Sequence, residues 1–190
     1  MELTGERIET LASEYEQRQP LADIEREHLD VLPRTLASGD YGWRDVEWIV
    51  QWYYRRFLGA HPDEGRRAGE ESFGNNEYEA VHAAVSTAVD ESEVEPTIEA
   101  LTDLSGVDVS IASAFAQFLD PSAHLVMSCA EWTVLYEHGE LDERYPDAPS
   151  VATYRQYLDR CIALRARGDF DLQTVYTAIW VAWHRDSFNG

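Results

Sequence analysis

Histidine, cysteine and carboxylate are the side chains of this 190-residue sequence that could bind a metal or move protons. The histidines fall at positions 28, 61, 82, 124, 138 and 184, so no two stand four apart on a helix face. None sits beside Cys129 or Cys161 at a zinc-binding spacing, and the pattern predicts structural imidazoles with no metal centre and no cofactor. A glycine-rich phosphate loop, a serine nucleophile elbow and a metalloprotease helix are also missing. Carboxylates are too numerous for one pair to stand out as an acid–base couple, with 36 Asp and Glu against 15 basic residues. Every one of those basic residues is Arg, so no lysine amine exists to form a Schiff base.

The stretch with mechanical content is 98–135, IEALTDLSGVDVSIASAFAQFLDPSAHLVMSCAEWTVL. A short helix meets the tight turn Leu104-Ser105-Gly106-Val107-Asp108, and a second helix follows. Gly106 supplies the permissive backbone of the turn, Val107 plugs it into the core, and Ala112 lets the two helices approach closely. Asp108 ahead of Val109-Ser110-Ile111 is a good N-cap, its carboxylate placed to accept the free N–H groups of that helix start. After the second helix come the Asp120-Pro121 break, the short extended run 124–127 and a new helix from Cys129.

That order resembles the helix-hairpin-helix base-excision DNA glycosylase superfamily, with the hairpin at about 96–120. The resemblance implies an all-α, two-lobed bundle around the hairpin, with a cleft that holds a flipped base. It implies a hairpin of Ser105, Gly106, Val107 and Ser110 whose outward N–H groups hold a nucleic-acid phosphate. It also implies an Asp after the extended segment and, in some members, a Lys in the second hairpin helix. Ser110 stands where that Lys would be, and Met127 or Ser128 where the Asp would be. Asp120 and Glu131 are the nearest carboxylates that could stand in for the missing Asp. Asp108 replaces the second glycine of the family's usual turn and brings negative charge to the expected phosphate site.

Helices must position these residues, and helical periodicity dominates the rest of the chain. Helices are expected over 4–19, from Pro20 until Pro33 ends or kinks the second, then over 43–58, 77–89, 109–119, 129–138, 151–167 and 172–184, with another opened by Pro96. Residues 60–76, rich in Gly, Pro and charge, are expected to be a loop with at most one short helix. The 43–58 helix is apolar over much of its circumference, with Trp43, Trp48, Trp52 and Tyr53 available either to the core or to a stacked base. Arg44, Trp48, Arg55, Arg56 and Ser128 are the candidates for lining a cleft.

Hydrophobic residues make up 44% of the chain, enough for a core in one domain over 1–190. Cys129 and Cys161 are expected as buried thiols. The acidic start and the lack of a long apolar run predict a cytoplasmic protein without membrane attachment. A net charge of -21, spread through every segment, resembles the solvated surface of halophilic proteins, since the screening length is only about 3 Å at ~1 M salt. It also argues against a phosphate-gripping DNA binder. Four phosphate contacts lose on the order of 10³–10⁴ in affinity per tenfold rise in salt.

The expected function is therefore a catalytically silent glycosylase-like module that binds DNA or a nucleobase-like ligand. Two alternatives stand beside it. One is a protein-interaction or structural helical domain with its cleft closed by packing, whose partner is another protein. The other is an active, monofunctional base-excision enzyme with a displaced carboxylate.

Overall fold

The computed structural model describes residues 2–188 as all-α, with no strand among the described residues. The helices are α1 (Gly5–Ala12), α2 (Tyr15–Arg18), α3 (Ala22–Ser38), α4 (Trp43–Arg55), α5 (Asp63–Gly74), α6 (Tyr78–Asp90), α7 (Val94–Thr102), α8 (Val109–Leu119), α9 (Cys129–Glu137), α10 (Val151–Arg165) and α11 (Leu172–Phe188). None is long and apolar enough to cross a membrane.

The core is one continuous cluster, and α8 runs through it with every residue from Ser110 to Phe118 buried. A helix buried on all sides needs neighbours on all sides. Here α3, α4, α7 and α10 supply them, while α11 packs against α1, α2, α9 and α10. The extended run 124–127 makes no strand because α8 satisfies its backbone through side chains. Val126 N–H donates to Gln117 Oε1 at 2.7 Å and Met127 N–H to Ser113 Oγ at 2.8 Å. The Tyr157 hydroxyl donates to the Val126 carbonyl at 3.0 Å. Ser110, Ser113 and Gln117 follow one another at helical spacing, so one polar stripe of a buried helix fixes the segment that delivers Ser128 to the start of α9.

Three local expectations are corrected and one is narrowed. The first helix breaks after Ala12, where the Ser13 hydroxyl turns back to the Thr10 carbonyl, leaving α2 as a separate turn. Of the two outcomes expected at Pro33, the ending does not occur: the proline sits inside α3, where buried Leu32 and Leu36 hold the helix on the core against a penalty of about 3 kcal/mol. Pro96 lies within α7, two residues past its start. Residues 60–76 hold a twelve-residue helix, α5, although Phe73 is its one buried side chain. The helix draws on charge pairs between Arg66 and both Asp63 and Glu70 instead of an apolar stripe. Gly69 lies so close to the Tyr54 ring that a Cβ there would sit 1.9 Å from the hydroxyl.

Candidate functional site

The hairpin forms as the spacing predicts. Gly106 takes the left-handed conformation at φ +75°, Val107 is buried, and Asp108 Oδ1 accepts the Ile111 N–H at 2.9 Å. The tip of the turn is occupied by the protein itself. Ser105 N–H donates to Asn76 Oδ1 and the Ser105 carbonyl accepts from Asn76 Nδ2, both at 2.9 Å. A Cβ on Gly106 would come within 2.6 Å of the Phe73 backbone nitrogen, so the end of α5 covers the turn. One donor that a phosphate contact would use is therefore taken, and the approach beside it is filled.

On the other side of α8's start lies a cleft of about 660 Å³. Ser110 and Ser128 both line it. Tyr53, Phe57, Tyr145 and Trp183 give it aromatic walls. The Ser110 and Tyr145 hydroxyls hydrogen-bond at 2.9 Å, and burial pushes the Tyr145 phenol up to about 12. Both hydroxyls thus stay neutral, and each can donate or accept.

The charge at the cleft is one-sided. Asp108, Glu137, Asp147 and Asp186 line it, against a single imidazole, His61. Burial, then the charges of Arg56 and Arg66, lower the His61 pKa and keep it neutral at pH 7. An anion entering here meets carboxylates and no compensating cation among the lining residues.

Beneath the cleft Arg56 and Glu131 form a fully buried ion pair, with Arg56 Nη1 on Glu131 Oε1 and Nη2 on Oε2 at 3.3 Å. The guanidinium carbon lies 4.3 Å from the Phe57 ring centroid and 5.2 Å from that of Tyr53. Burial is the largest influence and opposes its charge, but Glu131 together with Tyr176 and Tyr53 outweighs it and holds the group protonated. Ser128, which caps α9 through the Ala130 N–H, also donates its hydroxyl to Glu131. The Glu131 carboxylate is consequently spoken for by two donors and is 1% exposed. Asp120 serves its own turn, accepting from the Ser122 N–H and hydroxyl, and lies outside the cleft lining. Neither carboxylate presents a free oxygen to a ligand in the cleft.

The other candidates scatter. Arg44 is exposed and Arg55 reaches toward Glu70 at 4.0 Å, so neither lines the cleft. Trp48 stacks on His28 at 3.6 Å and meets Phe118 edge-on, and Trp52 is buried, so these rings serve packing. Cys161 is buried, and its thiol is pushed up to about 12, whereas Cys129, expected inside, is exposed at the cleft. No cluster of three or more potential metal ligands occurs among the described residues.

One group that the spacing of motifs did not reveal is Glu25, 2% exposed in the first turn of α3. Its carboxylate accepts the Tyr15 hydroxyl at 2.8 and 2.9 Å and Trp52 Nε1 at 2.8 Å. Burial raises its pKa to about 7 against those two donors and the more distant Arg56. A signal for it exists in the sequence: Ala22, Glu25, Leu29, Leu32 and Leu36 make one helical stripe, and Glu25 is its charged member.

The fold and site together define an all-helical protein with an aromatic-walled, acidic-rimmed cleft above a buried ion pair. Comparison with protein-family models, with curated proteins and with solved structures finds no match to this chain.

Proposed function

We propose that the chain is a glycosylase-like module without base-excision chemistry that binds a planar, nucleobase-like ligand in the hairpin cleft. The observation that carries this is the meeting of Ser110, Ser128 and Tyr145 in one aromatic-walled cleft, where the resemblance places a flipped base. Aromatic walls stack on any base face, and hydroxyls read its polar edge. With Ser110, and Met127 or Ser128, where the resemblance puts catalytic groups, with Glu131 tied to Arg56 and Ser128, and with Asp120 bound in its own turn, neither of the two stand-in carboxylates is placed to stabilise charge at an anomeric carbon. The four carboxylates at the cleft favour a neutral or cationic base over a phosphate-bearing strand. The covered hairpin tip points the same way.

The burial of Trp52 and the packing of Trp48 favour a second reading, a helical domain that serves protein interaction. The open cleft opposes it.

Titration calorimetry of nucleobases, nucleosides and single-stranded DNA in molar KCl tests the reading. Free bases or nucleosides are expected to bind, and Tyr145→Ala is expected to weaken binding about tenfold or more through lost stacking. Retention of DNA without any affinity for free bases would restore a strand-binding role. Silence across the whole panel would remove the ligand-binding reading.

A further inference from the structure

A second cleft, of about 610 Å³, opens on another side of the molecule between the α1–α2 break, α3 and the start of α11. Its lining includes Glu25, Tyr15, Leu29, Asp30, Gln173 and Thr177, and it shares no lining residue with the hairpin cleft. Glu25 is an unusual group to find there. An ionised carboxylate offers about four acceptor sites, and the Tyr15 hydroxyl and Trp52 Nε1 supply one proton each. No arginine lies within ion-pairing distance of Glu25 among the described residues, since Arg56 is committed to Glu131 and Arg26 to Glu16 and Asp23. A buried carboxylate normally has a charged partner. This one instead lines a cleft, with acceptor capacity to spare once ionised.

The surroundings fit the missing partner. Gln173 donates through Nε2 to the Pro121 carbonyl at 2.8 Å, while its Oε1, buried in the cleft wall, meets no donor. Tyr176, wholly buried with its ring 6.0 Å from that of Tyr15, lies behind the cleft lining, and its hydroxyl has no hydrogen-bond partner. Glu16, Asp30 and Asp171 add negative charge toward the mouth, against Arg26 alone. We propose that this cleft binds a small organic cation with N–H donors, an ammonium or amidinium group, and that Glu25 receives it.

The pair that forms would be charge-assisted and shielded from solvent by Leu29, Ala22 and Ala12. The groups facing Glu25 are Tyr15 of α2, Trp52 of α4, Tyr176 of α11 and, farther off, Arg56, with Arg26, Glu16, Asp30 and Asp171 toward the opening. Its proton must leave before a cation can take its place, so affinity rises with pH through about 7 and then levels.

Benzamidine is the probe, with tetramethylammonium as a cation lacking N–H donors and benzamide as its neutral analogue. Carbon-13 NMR of the Glu25 carboxyl is expected to show its titration midpoint falling when benzamidine is added and holding with either control. Calorimetry is expected to show Glu25→Gln weakening benzamidine about tenfold or more. A Glu25 midpoint indifferent to benzamidine in the unsubstituted protein would overturn the proposal whether or not the variant folds. Equal binding of tetramethylammonium would also overturn it, by reducing the effect to general attraction. Because the two clefts share no lining residue, either outcome leaves the hairpin-cleft reading to its own experiment.

Discussion

Replacing Glu25 by Gln should change how stability depends on pH, and the size of the change follows from burial. The carboxyl has an ordinary value of 4.5 and is raised to about 7 in the folded chain. Between those values the folded state keeps a proton that the unfolded state has released, so unfolding becomes easier as pH rises through the window. The stabilising effect of the protonated form is complete below 4.5 and lost above 7. At 1.36 kcal/mol per unit, the full window corresponds to about 3 kcal/mol. Working near the pI of 4.4 invites precipitation. Denaturant melts of both proteins from about pH 5.5 to about pH 8.5 avoid it and still capture about 2 kcal/mol.

The amide preserves the acceptor for Tyr15 and Trp52 but adds an N–H₂ group, with a cost that does not vary with pH. The diagnostic quantity is therefore the difference between the two stability curves, not either curve alone. It should move by about 2 kcal/mol in favour of Glu25→Gln as pH rises. Parallel curves would refute the reasoning, because they would mean that the buried carboxylate is solvated or paired in a way the structure does not contain.

Three further outcomes follow from named contacts. Arg56→Met strands Glu131 in the core and should destabilise the fold by about 3–5 kcal/mol, while Arg56→Met with Glu131→Leu should recover most of it. Denaturant melts arranged as a double-mutant cycle check this, and simple additivity would contradict the pairing. Gly106→Ala should cost more than about 2 kcal/mol, since it combines a left-handed backbone with a Cβ 2.6 Å from Phe73 N. Binding lost on substituting Gly106 would accordingly report folding and not phosphate contact, and thermal melts separate the two. Cys129 should react with a thiol reagent in the native state and Cys161 only on unfolding, and a ligand in the hairpin cleft should slow the first reaction. Equal rates for the two thiols would contradict their placement.

The features legible in the sequence are those that obey local rules. The α8 hairpin announces itself through Gly106, Val107 and the Asp108 cap, and α4, α9, α10 and α11 through apolar spacing. Helix α5 is hidden because it buries only Phe73 and rests on charge pairs and on the fit of Gly69 against Tyr54, which periodicity does not register. Burial of Trp52 and exposure of Cys129 depend on which face of a helix meets α8 or a cleft, and tertiary packing decides that. Glu25, Arg56 and Glu131 each stand on an apolar stripe, where a charge is out of place. In a chain with 36 carboxylates that signal is easily passed over.

Those three charged groups explain one another. Arg56 is the midpoint: its side chain holds Glu131, which takes the Ser128 hydroxyl beneath the hairpin cleft, and its backbone carbonyl accepts from Gln19 Nε2 and Trp180 Nε1. The same guanidinium lowers the pKa of Glu25 from a distance but does not reach it. Since a desolvated ion pair roughly breaks even against apolar packing, stability alone gives little reason to keep Arg56 and Glu131. Position gives a better one, because the pair fixes Ser128 at the hairpin cleft and occupies an arginine whose charge acts on Glu25. Exchanging the pair for Met and Leu should thus leave a folded protein whose Glu25 titrates higher than before, by the loss of that attraction. An unchanged Glu25 midpoint in the double variant would show that the two clefts are electrostatically independent.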